Sequence, residues 1–118
     1  MIRATGKRII PLLILAIFTF QFTSTIYSQQ FKFVWLTDTH VGGTTGAEDL
    51  INSVRDINSF SDIDFVILSG DVTETGKSTD LERTKIILDS LRKPYYIIPG
   101  NHDTKWSESG CTKFSQIF

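Results

Sequence analysis

Three short polar clusters in this 118-residue chain hold side chains that can bind a metal or move a proton. They are Thr37-Asp-Thr-His40, Ser69-Gly-Asp-Val-Thr-Glu74 and Pro99-Gly-Asn-His-Asp103. Asp38, His40, Asp71 and Asn101 offer carboxylate oxygens, an imidazole nitrogen and an amide oxygen. That donor set suits a first-row ion such as manganese, iron or zinc. An Asp and a His two residues apart in an extended segment project to the same side, so Asp38 and His40 can share one ion. His102, with the carboxylate of Asp103 beside it, is a candidate general acid. Gly70 and Gly100 directly precede Asp71 and Asn101, and a residue without Cβ lets backbone approach a ligand closely. Taken singly, each cluster has a plainer reading as a turn, since Gly-Asp after an apolar run is ordinary loop chemistry. Both histidines of the chain fall in these clusters, and three of them in series point to one metal centre.

Each cluster closes an apolar run. Phe31–Leu36, Phe65–Leu68 and Tyr95–Ile98 read as strands. The last two are short continuous apolar runs, as expected where both faces of a sheet are covered. On that reading Trp35, Tyr95 and Tyr96 belong to the core. Between the strands, Ala47, Leu50, Ile51, Val54 and Ile57 follow helical spacing. Thr45 and Glu48 form a capping-box pattern at the start of that helix. A second helix is expected from about Asp80 to Lys93, with Leu81, Ile87, Leu88 and Leu91 inward and a second capping box at Thr79 and Glu82. Arg92 and Lys93 suit its negative end, and Pro94 stops it. The resulting order is β-α-β-α-β, an α/β fold with a parallel sheet and right-handed crossovers. Loops after the carboxyl ends of parallel strands collect at one rim, which brings the three clusters together. Glu74 reads as a solvated loop acid, and Glu48-Asp49 and Arg83–Lys85 as exposed helix faces. Residues 104–118, with Trp106 and Cys111, carry weak pattern and no assigned role.

The first 28 residues differ from the rest. Arg3, Lys7 and Arg8 precede an apolar stretch from Ile9 to Phe22, and a polar segment to Gln30 follows. This stretch of fourteen residues, almost uninterrupted in its apolar character, falls short of the roughly 20 that a membrane-spanning helix needs. The order basic, apolar, small-polar is that of a secretory signal peptide over residues 1–28, with an uncleaved anchor as the alternative. Export to the periplasm, cell envelope or exterior is the expected localisation, without stable membrane association after cleavage. The leader carries three of the 12 Lys and Arg and none of the 13 Asp and Glu, so residues 29–118 hold 9 against 13, a net charge of −4. A mildly acidic domain lacks the basic stripe of a nucleic-acid binder. One cysteine, Cys111, excludes an internal disulfide, so the fold rests on its core or on metal.

The motifs D-x-H (Asp38, His40), G-D-x-x-E (Gly70 to Glu74) and G-N-H-D (Gly100 to Asp103) resemble those of the calcineurin-like metallophosphoesterase superfamily. They stand in the same order and on the same β-α-β-α-β setting, over residues 31 to about 103. The resemblance implies a hydrolase acting on phosphate esters, as phosphomonoesterase or phosphodiesterase, through a dinuclear centre. Asp38 and His40 would hold the first metal ion, Asp71 would bridge both, and Asn101 would bind the second. His102 would protonate the leaving oxygen or steady the phosphate, and Asp103 would orient its ring. Two such ions lower the pKa of bound water and clamp phosphoryl oxygens. The family carries further histidines in G-H and G-H-x-H motifs, and this chain has none after His102. Residues 29–118 are therefore expected to be the N-terminal half of the family's two-sheet α/β sandwich, a fragment lacking the C-terminal half of its own domain. Alone it is expected to bind metal weakly and to hydrolyse phosphate esters little or not at all.

Two rivals are distinguishable. A haloacid-dehalogenase-like phosphatase would use Asp38 as a covalent nucleophile, but it needs D-x-D where this chain has His40. The other is a catalytically inactive exported α/β module that binds a partner or ligand through the same loops.

Overall fold

The computed structural model describes residues 28–105 and 111–118. Apolar runs form three strands: β1 (Phe33–Leu36), β2 (Phe65–Ser69) and β3 (Tyr95–Ile98). Helix α1 (Gly46–Ser59) connects the first two and α2 (Ser78–Leu88) the last two. Two short helices follow, α3 (Asn101–Thr104) and α4 (Cys111–Ile117). The sheet order is β1-β2-β3, with every pair parallel. This is the β-α-β-α-β parallel core that the sequence predicts.

Helical spacing turns Ala47, Leu50, Val54 and Ile57 of α1 toward one side. There they meet Val66 and Leu68 of β2, Leu81, Ile87 and Leu88 of α2, and Phe114 of α4 in a single buried cluster. Leu50, Leu68, Leu81 and Leu88 are fully buried, each stabilising the fold by roughly 1.5–3 kcal/mol relative to exposure. Phe114 also packs its ring on Phe118, with centroids 4.8 Å apart. The weakly patterned tail thus contributes to the core.

Among the described residues the sheet is covered on one face, not two. With strand order β1-β2-β3, successive crossovers of one hand step the same way and place both helices on the same side. Val34, Leu36, Tyr95 and Ile97 turn toward the core. On the other face Trp35 is 67% exposed and Tyr96 63%, which corrects their assignment to the core. An aromatic row crosses this open face. Phe33 stacks flat on Phe65 at 5.3 Å, and Phe65 meets Tyr96 edge-on at 6.0 Å. The Trp35 indole N–H donates to Ser69 Oγ at 2.6 Å.

Neither capping box forms. Thr45 is the N-cap of α1, but its side chain makes no capping bond. Helix α2 starts at Ser78 after Lys77, which puts Thr79 inside its first turn. It also ends at Leu88, short of Lys93. Tight backbone bonds from Ser90 N to Ile87 O (3.2 Å) and Leu91 N to Leu88 O (3.0 Å) close it. Asn58 of α1 then captures the outgoing chain, donating to Ser90 O at 2.9 Å and accepting from Arg92 N at 2.8 Å. Tertiary bonding overrides local propensity here. Asn58→Ala is expected to cost about 1 kcal/mol and lower the thermal midpoint by roughly 4–8 °C; an unchanged midpoint by circular dichroism would contradict it.

Among the described residues no helix is long and apolar enough to cross a membrane. The expected signal peptide, save Ser28, and Trp106 lie outside those residues.

Candidate metal centre

The parallel pairing of β1 and β2 continues past the strand ends. Asp38 N donates to Gly70 O (3.2 Å), His40 N to Asp71 O (3.1 Å) and Val41 N to Val72 O (2.9 Å). Glu74 N returns a bond to Val41 O at 3.0 Å. The first two clusters therefore lie side by side, as predicted from the carboxyl-end rule. The third joins through Asp71, whose Oδ1 accepts the backbone N–H of His102 at 3.0 Å.

Gly70 and Gly100 make this approach possible. Gly70 has φ +94°, and a Cβ there would lie 2.9 Å from the Cα of Gly100. A Cβ on Gly100 would overlap the amide nitrogen and carboxylate of Asp71.

Among the described residues, the non-glycine positions with positive φ are Asp38 (54°), His40 (43°) and Asp71 (48°). These are three of the four residues expected to ligate metal. The D-x-H segment is therefore not extended, as the spacing argument supposed; left-handed backbone aims the two side chains instead. Strained backbone of this kind concentrates at functional sites, and here the outlier is observed first.

Asp38, His40 and Asp71 each offer one ligand atom, and these lie within 4.8 Å of one another. His40 Nε2 stands 3.8 Å from Asp38 Oδ1. Two carboxylates and an imidazole converging at that range fit a first-row divalent ion by donor chemistry. Asn101 opens α3 at the same rim and is exposed. An open cleft of about 410 Å³ lies alongside, lined by Asp38, His40, Asp49 and Glu74 among others.

His102 brings its ring edge-on to that of His40, with centroids 4.8 Å apart. Its Nδ1 lies 2.7 Å from the Glu74 carbonyl. A carbonyl only accepts, so Nδ1 carries the hydrogen and Nε2 the lone pair in the neutral ring. Orienting this ring, the task expected of Asp103, is thus met by the Glu74 backbone. Asp103 is fully buried and staples the loops together. Its Oδ1 accepts from Thr73 N (2.8 Å) and Thr73 Oγ1 (2.7 Å), and its Oδ2 from Val72 N (3.1 Å) and Gly100 N (2.8 Å). Four bonds from two loops account for both of its oxygens.

Sequence reasoning undervalued Glu74. Its side chain is no detached loop acid, because Oε2 sits 3.1 Å from His40 Nδ1. The signal for it in the sequence is its place three residues after Asp71 in the same loop.

Comparison with known proteins agrees with this architecture. Residues 31–118 match the family model for calcineurin-like phosphoesterases. The chain is 38% identical over 82 residues to a probable cyclic nucleotide phosphodiesterase of Rhodopseudomonas palustris, covering 63% of this chain and 30% of that protein. It is 30% identical over 78 residues to a glycerophosphodiester phosphodiesterase of Enterobacter lignolyticus, covering 66% and 26%. A probable glycerophosphodiester phosphodiesterase of Arcobacter nitrofigilis is 38% identical over 55 residues, covering 46% and 20%. The chain spans less than a third of the length of these curated relatives. A parallel three-stranded core, three loops meeting at its carboxyl rim and a family match over the same residues lead to one conclusion: the chain belongs to the calcineurin-like phosphoesterase family.

Proposed function

We propose that this chain carries part of the metal centre of an exported, metal-dependent phosphodiesterase. The observation that carries the reading is the convergence of Asp38, His40 and Asp71 within 4.8 Å, all on left-handed backbone. The relatives, named as a probable cyclic nucleotide phosphodiesterase and a glycerophosphodiester phosphodiesterase, favour a phosphodiester over a monoester. Asp38, His40 and Asp71 would hold a first ion, and Asp71 with Asn101 a second, of manganese, iron or zinc. Such ions, when bound, supply Lewis acidity toward phosphoryl oxygen and lower the pKa of water. The protein's own part is positional. Asp71 fixes the third loop through His102 N, and the Glu74 carbonyl aims the His102 ring. In its imidazolium form His102 would carry a second proton on Nε2, available to a departing oxygen, the role of general acid.

Calorimetric titration with Mn(II) tests the reading. Weak, saturable uptake is expected from the 118-residue chain, with loss of uptake in both Asp38→Ala and Asp71→Ala. Little or no hydrolysis of an aryl phosphodiester is expected from the chain alone. Absence of binding, or binding that neither substitution alters, would favour the inactive exported module.

A further inference from the structure

Glu74 touches both histidines of the chain by different atoms. Its carbonyl holds His102 Nδ1 at 2.7 Å, and its carboxylate approaches His40 Nδ1 at 3.1 Å. That His40 nitrogen is buried and has no aligned hydrogen-bond partner. The two observations differ on whether a bond exists, and geometry reconciles them: Oε2 is within range but off the N–H direction. The Glu74 side chain is half-exposed, 47%, so it has room to rotate into line. A buried ring nitrogen requires a partner, and catalytic hydrogen bonds are often poorly aligned before ligand arrives.

We infer that Glu74 is the positioning residue of the centre, setting one tautomer on both rings. The backbone carbonyl keeps the hydrogen of His102 on Nδ1. The carboxylate keeps the hydrogen of His40 on Nδ1, which leaves the lone pair on His40 Nε2, the nitrogen 3.8 Å from Asp38 Oδ1. A carboxylate behind a ligating imidazole fixes ring orientation and raises ligand basicity. This inference rests on the proposed metal-binding role of His40 and assigns the residue that prepares it. Glu74 acts through the rings, not on substrate.

The two attachments predict different responses, which makes the test internally controlled. The chain has two histidines, so ¹⁵N imidazole spectra of the metal-free protein at pH 8 resolve both. In Glu74→Ala, His40 should move from the Nδ1–H form to a mixture of tautomers. His102, bonded to main chain, should keep its form. Glu74→Gln retains an acceptor oxygen and should restore His40. Mn(II) affinity should fall about 10–100-fold in Glu74→Ala and largely recover in Glu74→Gln. If His40 keeps its tautomer in Glu74→Ala, or both rings change together, the inference is wrong. Equal damage from Gln and Ala would make Glu74 a ligand and overturn the positioning role. Because the tautomer is read without metal, a chain that bound no Mn(II) would refute the proposed function while leaving this result decisive.

Discussion

Asp103→Ala is expected to unfold the rim of this protein and, with it, most of the cooperative structure. The carboxylate is fully buried and accepts four hydrogen bonds, three of them from the backbone of Val72, Thr73 and Gly100. Truncation leaves those three N–H groups without their acceptor, and each buried orphan costs about 1–3 kcal/mol. Thr73 Oγ1, which donates to Asp103 and accepts from Gly76 N at 3.0 Å, loses its anchor as well. The expected loss is roughly 3–5 kcal/mol or more, against a total of about 5–15 kcal/mol for an ordinary domain. Urea titration followed by far-ultraviolet circular dichroism measures it. Asp103→Asn keeps one acceptor oxygen and should fall between the two. A truncation costing under about 1 kcal/mol would show that the staple is replaceable by water.

Gly100→Ala should be nearly as damaging, for a reason of space alone. The φ of Gly100 is −98°, a value open to any residue, so conformational freedom is not the issue. A methyl there would overlap Asp71's amide nitrogen and carboxylate. Backbone cannot swing aside as a flexible side-chain end can. Overpacking of this kind typically costs about 1–3 kcal/mol, and a collision with main chain belongs at or above the upper end. The two loops would have to part, breaking the bond from His102 N to Asp71 Oδ1. Thermal midpoint and Mn(II) uptake should therefore fall together. A stable Gly100→Ala protein with unchanged uptake would mean that the third loop is not seated against the second.

What could be read in the sequence was whatever depends on periodicity and chain order. Helical spacing located α1 and the inward face of α2, and three apolar runs located the strands. Strand ends then brought the polar clusters together, because parallel topology leaves little choice of where carboxyl-end loops go. Several misreadings share one cause, a partner distant in sequence. A short apolar run does not reveal whether one face or two are covered, so the pattern alone assigns Trp35 and Tyr96 to the core. The end of α2 is set by Asn58, more than 30 residues away. Asp103 adjoins His102 in sequence, yet its oxygens reach back across the rim to Val72 and Thr73. Glu74, judged alone, is an acid in a loop; its use appears only when His40 and His102 arrive beside it.

The left-handed trio also bears on how this chain can change. Asp38, His40 and Asp71 hold a conformation that costs an L-residue roughly 1–2 kcal/mol and costs glycine almost nothing. Mutation toward glycine at Asp38 or His40 relieves that backbone and removes a metal donor, whereas at Asp71 it also strips the acceptor that holds His102 N. Stability and chemistry pull in opposite directions at the first two positions. A lineage released from the need for metal would find backbone relief at residues 38 and 40, while residue 71 would still be kept by its bond to the third loop.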